Sequence, residues 1–256
     1  MRLLLLSDIH ANIEALEACL AVAPGYDMVV SLGDVVGYNA APNEVCARVR
    51  ALGSISVRGN HDRACAGLME LDSFNALAAS ITRWTQGVLL PDNLDWLSSL
   101  PKGPVRIRAL RGVEFVHGSP RDEDEYLLNW FQASTSFQAP GHPGRIVFGH
   151  THVQGGFMLG DGLTRAITPK FAKSDGLVEF RMTLAPGARY LINPGAVGQP
   201  RDGDWRAAFA LYEGWDEDEP AKVTFYRVPY AIEKAQQRIV SAGLPAELAM
   251  RLKLGR

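Results

Sequence analysis

The chain begins with an uninterrupted apolar run, Leu3-Leu4-Leu5-Leu6, that stops at Ser7-Asp8-Ile9-His10. A run without alternation suits a strand buried on both faces. Asn12 then reads as an N-cap, with Glu14 in the first turn and Ile13, Leu16, Cys19 and Leu20 at helical spacing up to Pro24-Gly25. The unit recurs. Met28 to Leu32 is a second buried strand ending in Gly33-Asp34, a helix follows from about Asn43 to Leu52, and Ile55 to Val57 ends in Arg58-Gly59-Asn60-His61-Asp62. Ligands of open α/β sheets bind beyond the carboxyl ends of the strands, so the three polar tips are expected to meet in one crevice.

Ser73 to Val88 has helical spacing, and Pro91 to Leu100 reads as a further short helix. The character then changes. Val105–Ile107, Val113–His117, Ile146–Gly149, Gly156–Leu159, Leu177–Met182, Tyr190–Ile192, Ala207–Tyr212 and Val223–Val228 read as short strands between Gly and Pro turns, which predicts a second, mixed sheet. The acidic runs Asp122–Glu125 and Asp216–Glu219 read as solvated loops. Tyr230 to Ala242 is an amphipathic helix, followed after Gly243-Leu244-Pro245 by a last helical turn or two. Neither a repeat nor a linker interrupts the 256 residues, so one domain is expected, with a core over 1–213 and a C-terminal strand and helices over 221–256.

Composition narrows the function. At 47% apolar and 21% charged residues the chain has the balance of a soluble globular protein, and its net charge of −2, with Lys and Arg thinly spread, lacks the basic stripe of a duplex-binding surface. No stable nucleic-acid partner and no membrane are expected; the state is monomer or homodimer. The apolar start at Met1 is too short for a signal-peptide core, and Cys19, Cys46 and Cys65 form no CxxC pair, so a reducing cytoplasm is expected.

The chemistry lies in Asp8-x-His10, Gly33-Asp34, Asn60-His61-Asp62, His117-Gly118 and Gly149-His150-Thr151-His152. Side chains two apart on extended backbone share a face, so Asp8 with His10, and His150 with His152, are expected to aim at one place. Mixed imidazole and carboxylate donors suit Mn, Fe, Zn or Co better than Ca. Singly, each motif is more often structural than ligating. Together they take five of the six histidines, and the first three sit at ends of buried strands. His142 fits no block and reads as an exposed loop residue; Cys65 reads as a buried thiol.

The ordered set D-x-H, G-D, G-N-H-D, H and G-H-x-H resembles the signature of calcineurin-like metallophosphoesterases, and Gly33–Tyr38 with Asn193–Arg201 resembles their small bacterial and archaeal phosphodiesterase branch. The resemblance implies a four-layer α-β-β-α sandwich of mixed α/β type. It also implies two divalent transition-metal ions, manganese first, with Fe, Zn, Co or Ni as alternatives. One ion would take Asp8, His10, Asp34 and His152; the other would take Asp34, Asn60, His117 and His150. A metal-bridging hydroxide would attack phosphorus in line, with His61 facing the substrate as the catalytic side chain and Asp62 orienting it. The protein phosphatases and dinucleoside tetraphosphatases of the superfamily carry an arginine after the G-D block. Val35-Val36-Gly37 stands there instead, so a phosphodiesterase of small diesters or nucleotides is expected, with Arg121 and Arg201 as substrate-binding candidates. A phosphomonoesterase or dinucleoside polyphosphate hydrolase keeps the same site, and a non-catalytic scaffold of the same fold is the third reading.

Overall fold

The computed structural model describes residues 1–72 and 74–256. In chain order, β1 (Arg2–Leu6), α1 (Ile13–Val22), β2 (Met28–Ser31), α2 (Pro42–Ala51), β3 (Ile55–Ser56) and the short α3 (Asn60–Cys65) come first. Two helices follow, α4 (Ala76–Val88) and α5 (Pro91–Ser99), then β4 (Val113–Phe115), α6 (Trp130–Gln138), β5 (Arg145–Val147), β6 (Gly155–Gly160) and β7 (Leu163–Ile167). The last elements are β8 (Val178–Leu184), β9 (Arg189–Asn193), β10 (Ala207–Glu213), β11 (Ala221–Val228), α7 (Ile232–Ser241) and α8 (Ala246–Leu254).

The strands form a six-stranded sheet in the order β3-β2-β1-β10-β11-β8 and a five-stranded sheet in the order β4-β5-β9-β6-β7. Both are mixed: β1, β2 and β3 run parallel, as do β4, β5 and β9, while the remaining pairings are antiparallel. The period of two along β1 explains the layering. Leu3 and Leu5 pack between the sheets with Phe115, Val147, Ile192 and Phe225, whereas Leu4 and Leu6 pack under the helices with Leu16, Val45, Ile239 and Leu248. Alpha6 covers the far face of the second sheet, where Phe137 meets Ile146, Phe157 and Leu191. The order helix, sheet, sheet, helix is the sandwich expected. All four leucines of β1 are fully buried, and such burial contributes roughly 1.5–3 kcal/mol per side chain.

Several elements differ from the sequence reading. Three strands of the second half, β8, β10 and β11, join the first sheet, because β10 pairs antiparallel with β1, its hairpin partner β11 follows, and β8 pairs with β11 at the edge. Val105 makes only an isolated bridge to Phe115 in place of a strand. Strand β7 was not anticipated, since its side chains are mostly exposed; the signal was Asp161-Gly162, both at positive φ, a type I′ pair that closes the β6–β7 hairpin. Alpha6 was missed too, although Asn129 caps it by accepting from Phe131 and Gln132 N–H. The helix expected from Ser73 is observed from Ala76, behind an Asn75 cap; Ser73 itself lies outside the described residues.

Candidate metal centre

The first three motifs sit just beyond β1, β2 and β3, and the last two just beyond β4 and β5, so the carboxyl ends of both sheets face one crevice. The expected extended geometry is wrong. Asp8, His10, Asp34, His150 and His152 all have φ between 47° and 65°, in the left-handed region. The turns they make are held by backbone bonds from Asp8 N to Gly33 O (3.0 Å), His10 N to Asp34 O (2.9 Å) and Gly198 N to Asp8 O (3.0 Å). Non-glycine residues rarely adopt this region, and such residues cluster at functional sites.

Each carboxylate is held by one oxygen and presents the other. Asp8 Oδ2 accepts from Ser7 Oγ (2.7 Å) and His150 N (3.1 Å), while Oδ1 has no hydrogen-bond partner and lies 3.2 Å from His152 Nε2. Asp34 Oδ1 accepts from His61 N (2.8 Å), while the unpartnered Oδ2 lies 3.6 Å from His10 Nε2 and 3.5 Å from His117 Nε2.

The histidines follow the same rule. His10 Nδ1 faces Val36 O (2.9 Å), His117 Nδ1 faces Leu32 O (2.7 Å), His152 Nδ1 faces Gln199 O (2.6 Å) and His150 Nε2 faces Asp124 O (3.1 Å). A carbonyl only accepts, so each of these nitrogens carries the proton and the other nitrogen of each ring presents a lone pair. Those lone pairs meet head-on: His10 Nε2 is 3.1 Å from His152 Nε2, and His117 Nε2 is 3.1 Å from His150 Nδ1. Asn60 Oδ1 joins the second pair, 3.2 Å from His117 Nε2. Two facing lone pairs repel unless a cation lies between them.

The donor atoms accordingly fall into two buried groups, Asp8, His10, Asp34 and His152 in one, Asp34, His117 and His150 in the other, with Asp34 common to both. Donor type, burial and the two orphaned oxygens fit divalent metal binding. Protonation tells the same story. Burial disfavours a charged His117, but Asp34, Asp8 and the Leu32 carbonyl outweigh it and hold its pKa at about 10; burial and the adjacent His117 push His150 down to about 3. Asp34 and Asp8 thus favour positive charge at this pair of ring nitrogens.

His61 stands apart from both groups. Asn60 and His61 open α3 and do not extend β3, so they diverge by a helical step about the helix axis. The His61 ring packs against Tyr38 (centroids 4.5 Å), Phe74 (4.9 Å) and His10 (5.0 Å), and burial lowers its pKa to about 4 despite the attraction of Asp34. Asp62 does not orient it. The Asp62 carboxylate accepts from the N–H groups of Val35 (2.8 Å), Val36 (3.2 Å) and Gly59 (3.0 Å), fixing the loop that carries Asp34, and among the described residues His61 Nδ1 has no partner. Asn12, besides capping α1, donates to Gly198 O (3.0 Å).

The flanking charges are more ordered than expected. Glu123 bridges Arg58 and Arg63, and Asp124 also binds Arg63, so the first acidic run is a strut beside His150. The second run receives the buried Arg145 through the carbonyls of Asp216, Glu217 and Glu219. His142 is not a free loop residue; its Nδ1 meets Glu114 at 2.7 Å. Arg121 is paired with Glu125, whereas among the described residues Arg201 has no Asp or Glu partner, Asp202 being taken by Arg227. The sequence reading missed Tyr126, whose ring stacks on His150 at 3.8 Å, and the positioning role of Asn193, which donates to Gly149 O (2.8 Å).

Gly59 packs so closely that a Cβ there would overlap Asp34 Oδ1 and the Asp34 backbone. Gly59→Ala is therefore expected to destabilise the fold by about 1–3 kcal/mol and to lower retained metal. Denaturant titration with elemental analysis checks this, and a variant that matches the parent in both would remove the steric argument.

A family model described as calcineurin-like phosphoesterase matches residues 1–171, and the chain belongs to that family. An uncharacterized protein of Methanocaldococcus jannaschii is 35% identical over 262 residues, covering 98% of this chain and 97% of that protein. The crystal structure of a metallophosphoesterase from Sphaerobacter thermophilus superposes with a TM-score of 0.80 at 40% identity, over 100% of this chain and 99% of that one. A hypothetical protein from Pyrococcus horikoshii shares the fold, with a TM-score of 0.76 at 18% identity over 100% and 98% of the two chains.

Proposed function

We propose that the chain is a metal-dependent phosphodiesterase acting on small phosphodiesters or nucleotides. The observation that carries the reading is the pair of head-on ring-nitrogen contacts on either side of Asp34 Oδ2. Asp8, His10, Asp34 and His152 would hold one ion and Asp34, Asn60, His117 and His150 the other, with manganese first among Mn, Fe, Zn, Co and Ni. When bound, such a pair of cations supplies Lewis-acid charge to phosphoryl oxygens and acidifies water. The backbone carbonyls behind the four histidines fix the rings so that no reorganisation is needed when charge develops.

His61 borders a cleft of about 240 Å³ that is also lined by Tyr38, Asn60, Phe74, Tyr126 and His150. Held neutral by burial, it stabilises the departing oxygen as an N–H donor. Two features favour a diester over a monoester. Val35 and Val36, fully buried, stand where a phosphate-clamping arginine would be needed for a dianion, and the aromatic walls of the cleft suit a carbon substituent on phosphorus. The three cysteines are free and buried, in keeping with a cytoplasmic location. Among the described residues no helix is long and apolar enough to cross a membrane.

With Mn²⁺ present, kcat/KM for bis(p-nitrophenyl) phosphate is expected to exceed that for p-nitrophenyl phosphate by about tenfold or more. Preference for the monoester would replace this reading with a phosphomonoesterase, and hydrolysis of neither would leave the scaffold.

A further inference from the structure

We infer that Arg251, on α8, completes with Arg201 an anion subsite beside the metal centre, so that the preferred phosphodiester carries a second anionic group, a terminal phosphate. The inference rests on the phosphodiesterase reading and adds the substrate feature that the reading leaves open.

Tyr38 joins the two regions. Its buried ring lies 4.5 Å from His61 and 4.7 Å from His10, centroid to centroid, and the same ring is covered by the guanidinium carbons of Arg201 at 5.4 Å and Arg251 at 5.7 Å. Among the described residues neither arginine has an Asp or Glu carboxylate within ion-pairing distance, although Arg58, Arg63, Arg106, Arg121, Arg206, Arg227 and Arg238 all do. Among the described residues Arg201 Nε is buried without a hydrogen-bond partner, its Nη2 lies 3.4 Å from Gln199 Oε1, and the Tyr126 hydroxyl is a neighbour. Arg251 Nε donates to the backbone oxygen of Arg256, the last residue of the chain, at 3.1 Å, which leaves its two Nη groups free. Two guanidinium cations beside one aromatic ring repel each other, and an anion between them relieves that repulsion. A guanidinium over an aromatic face keeps its N–H edges free, and their fork geometry matches phosphate.

The arginines are also fixed relative to each other. Gly203 N, two residues after Arg201, donates to Gly255 O (3.1 Å) at the end of α8, and α8 is tied to α7 by Gln236 Nε2 to Ala249 O (2.6 Å) and Lys253 to Glu233 (3.2 Å). Both lie beyond residue 171, where the family match ends.

Thymidylyl-thymidine with and without a 5′-terminal phosphate offers the same scissile diester and differs only in the second anion. In Mn²⁺-loaded protein carrying His61→Ala to slow turnover, calorimetry is expected to show about tenfold to hundredfold tighter binding of the phosphorylated form. Adding Arg251→Met should abolish most of that difference while leaving affinity for the unphosphorylated form unchanged; Arg251→Lys should recover part of it. In the otherwise native enzyme, Arg251→Met should raise KM for the phosphorylated dinucleotide and leave kcat and bis(p-nitrophenyl) phosphate hydrolysis as they were. Equal binding of the two dinucleotides, or discrimination that survives Arg251→Met, overturns the subsite, as does an equal loss for both ligands. If Arg251→Met does not fold, Arg251→Gln, which removes the charge and keeps a helix-forming polar stem, is read in the same way. Discrimination in binding without hydrolysis of any diester would keep the subsite and reject the phosphodiesterase reading.

Discussion

Asp34→Asn is expected to leave the protein with little of its bound metal and to lower diester hydrolysis about a thousandfold or more. Asp34 belongs to both donor groups, and its Oδ2 lies at nearly equal distances from His10 Nε2 and His117 Nε2, 3.6 and 3.5 Å. Among the described residues no other side chain serves both. An amide in its place presents either an uncharged oxygen or an N–H to the two histidines, removing the negative charge that offsets two cations. Several kcal/mol of transition-state stabilisation would go with them, and each 1.4 kcal/mol is tenfold in rate. Elemental analysis of the purified variant and its Mn²⁺-supplemented activity are the readouts. A variant that retains two ions per chain would mean that Asp34 does not bridge.

His61→Ala is expected to lower kcat by about a hundredfold to ten-thousandfold with metal content unchanged. The two halves of that expectation have separate grounds. The ring of His61 faces Tyr38, Phe74 and the cleft, whereas Asp34 Oδ1 is held by the His61 backbone N–H, which alanine keeps. Gly37 packs against the imidazole, so the variant opens a small gap without disturbing a donor. Lost metal in His61→Ala would place the imidazole among the ligands, and near-parental kcat with intact metal would remove it from the reaction.

Much of this was legible in the chain because the signals were local. The run Leu3–Leu6 and the polar stops after each of the first three strands follow from periodicity, and the donor types at those stops narrow the chemistry. Geometry was less legible. Spacing of two in Asp8-x-His10 and His150-x-His152 implied extended backbone, yet the ring nitrogens are brought together by left-handed turns fixed from Gly33, Asp34 and Gly198, far away in sequence. Asp62 read as a partner of His61 because they are adjacent; its carboxylate instead serves the amides of Val35, Val36 and Gly59. Arg251 carried no sequence signal at all, since a basic residue in the last turn of an amphipathic helix is ordinary, and only the folding of α8 against the Arg201 loop gives it a place by Tyr38.

The left-handed backbone at five of the seven proposed ligands bears on what this chain is under selection to do. Each such residue holds back about 1 kcal/mol or more that a glycine at the same position would release, and the cost recurs in every molecule whether or not substrate is present. A protein kept only for its shape would gain stability by drifting to glycine at these corners. Aspartate and histidine at all five therefore mark corners occupied for their donor atoms and not for the ease of the turn.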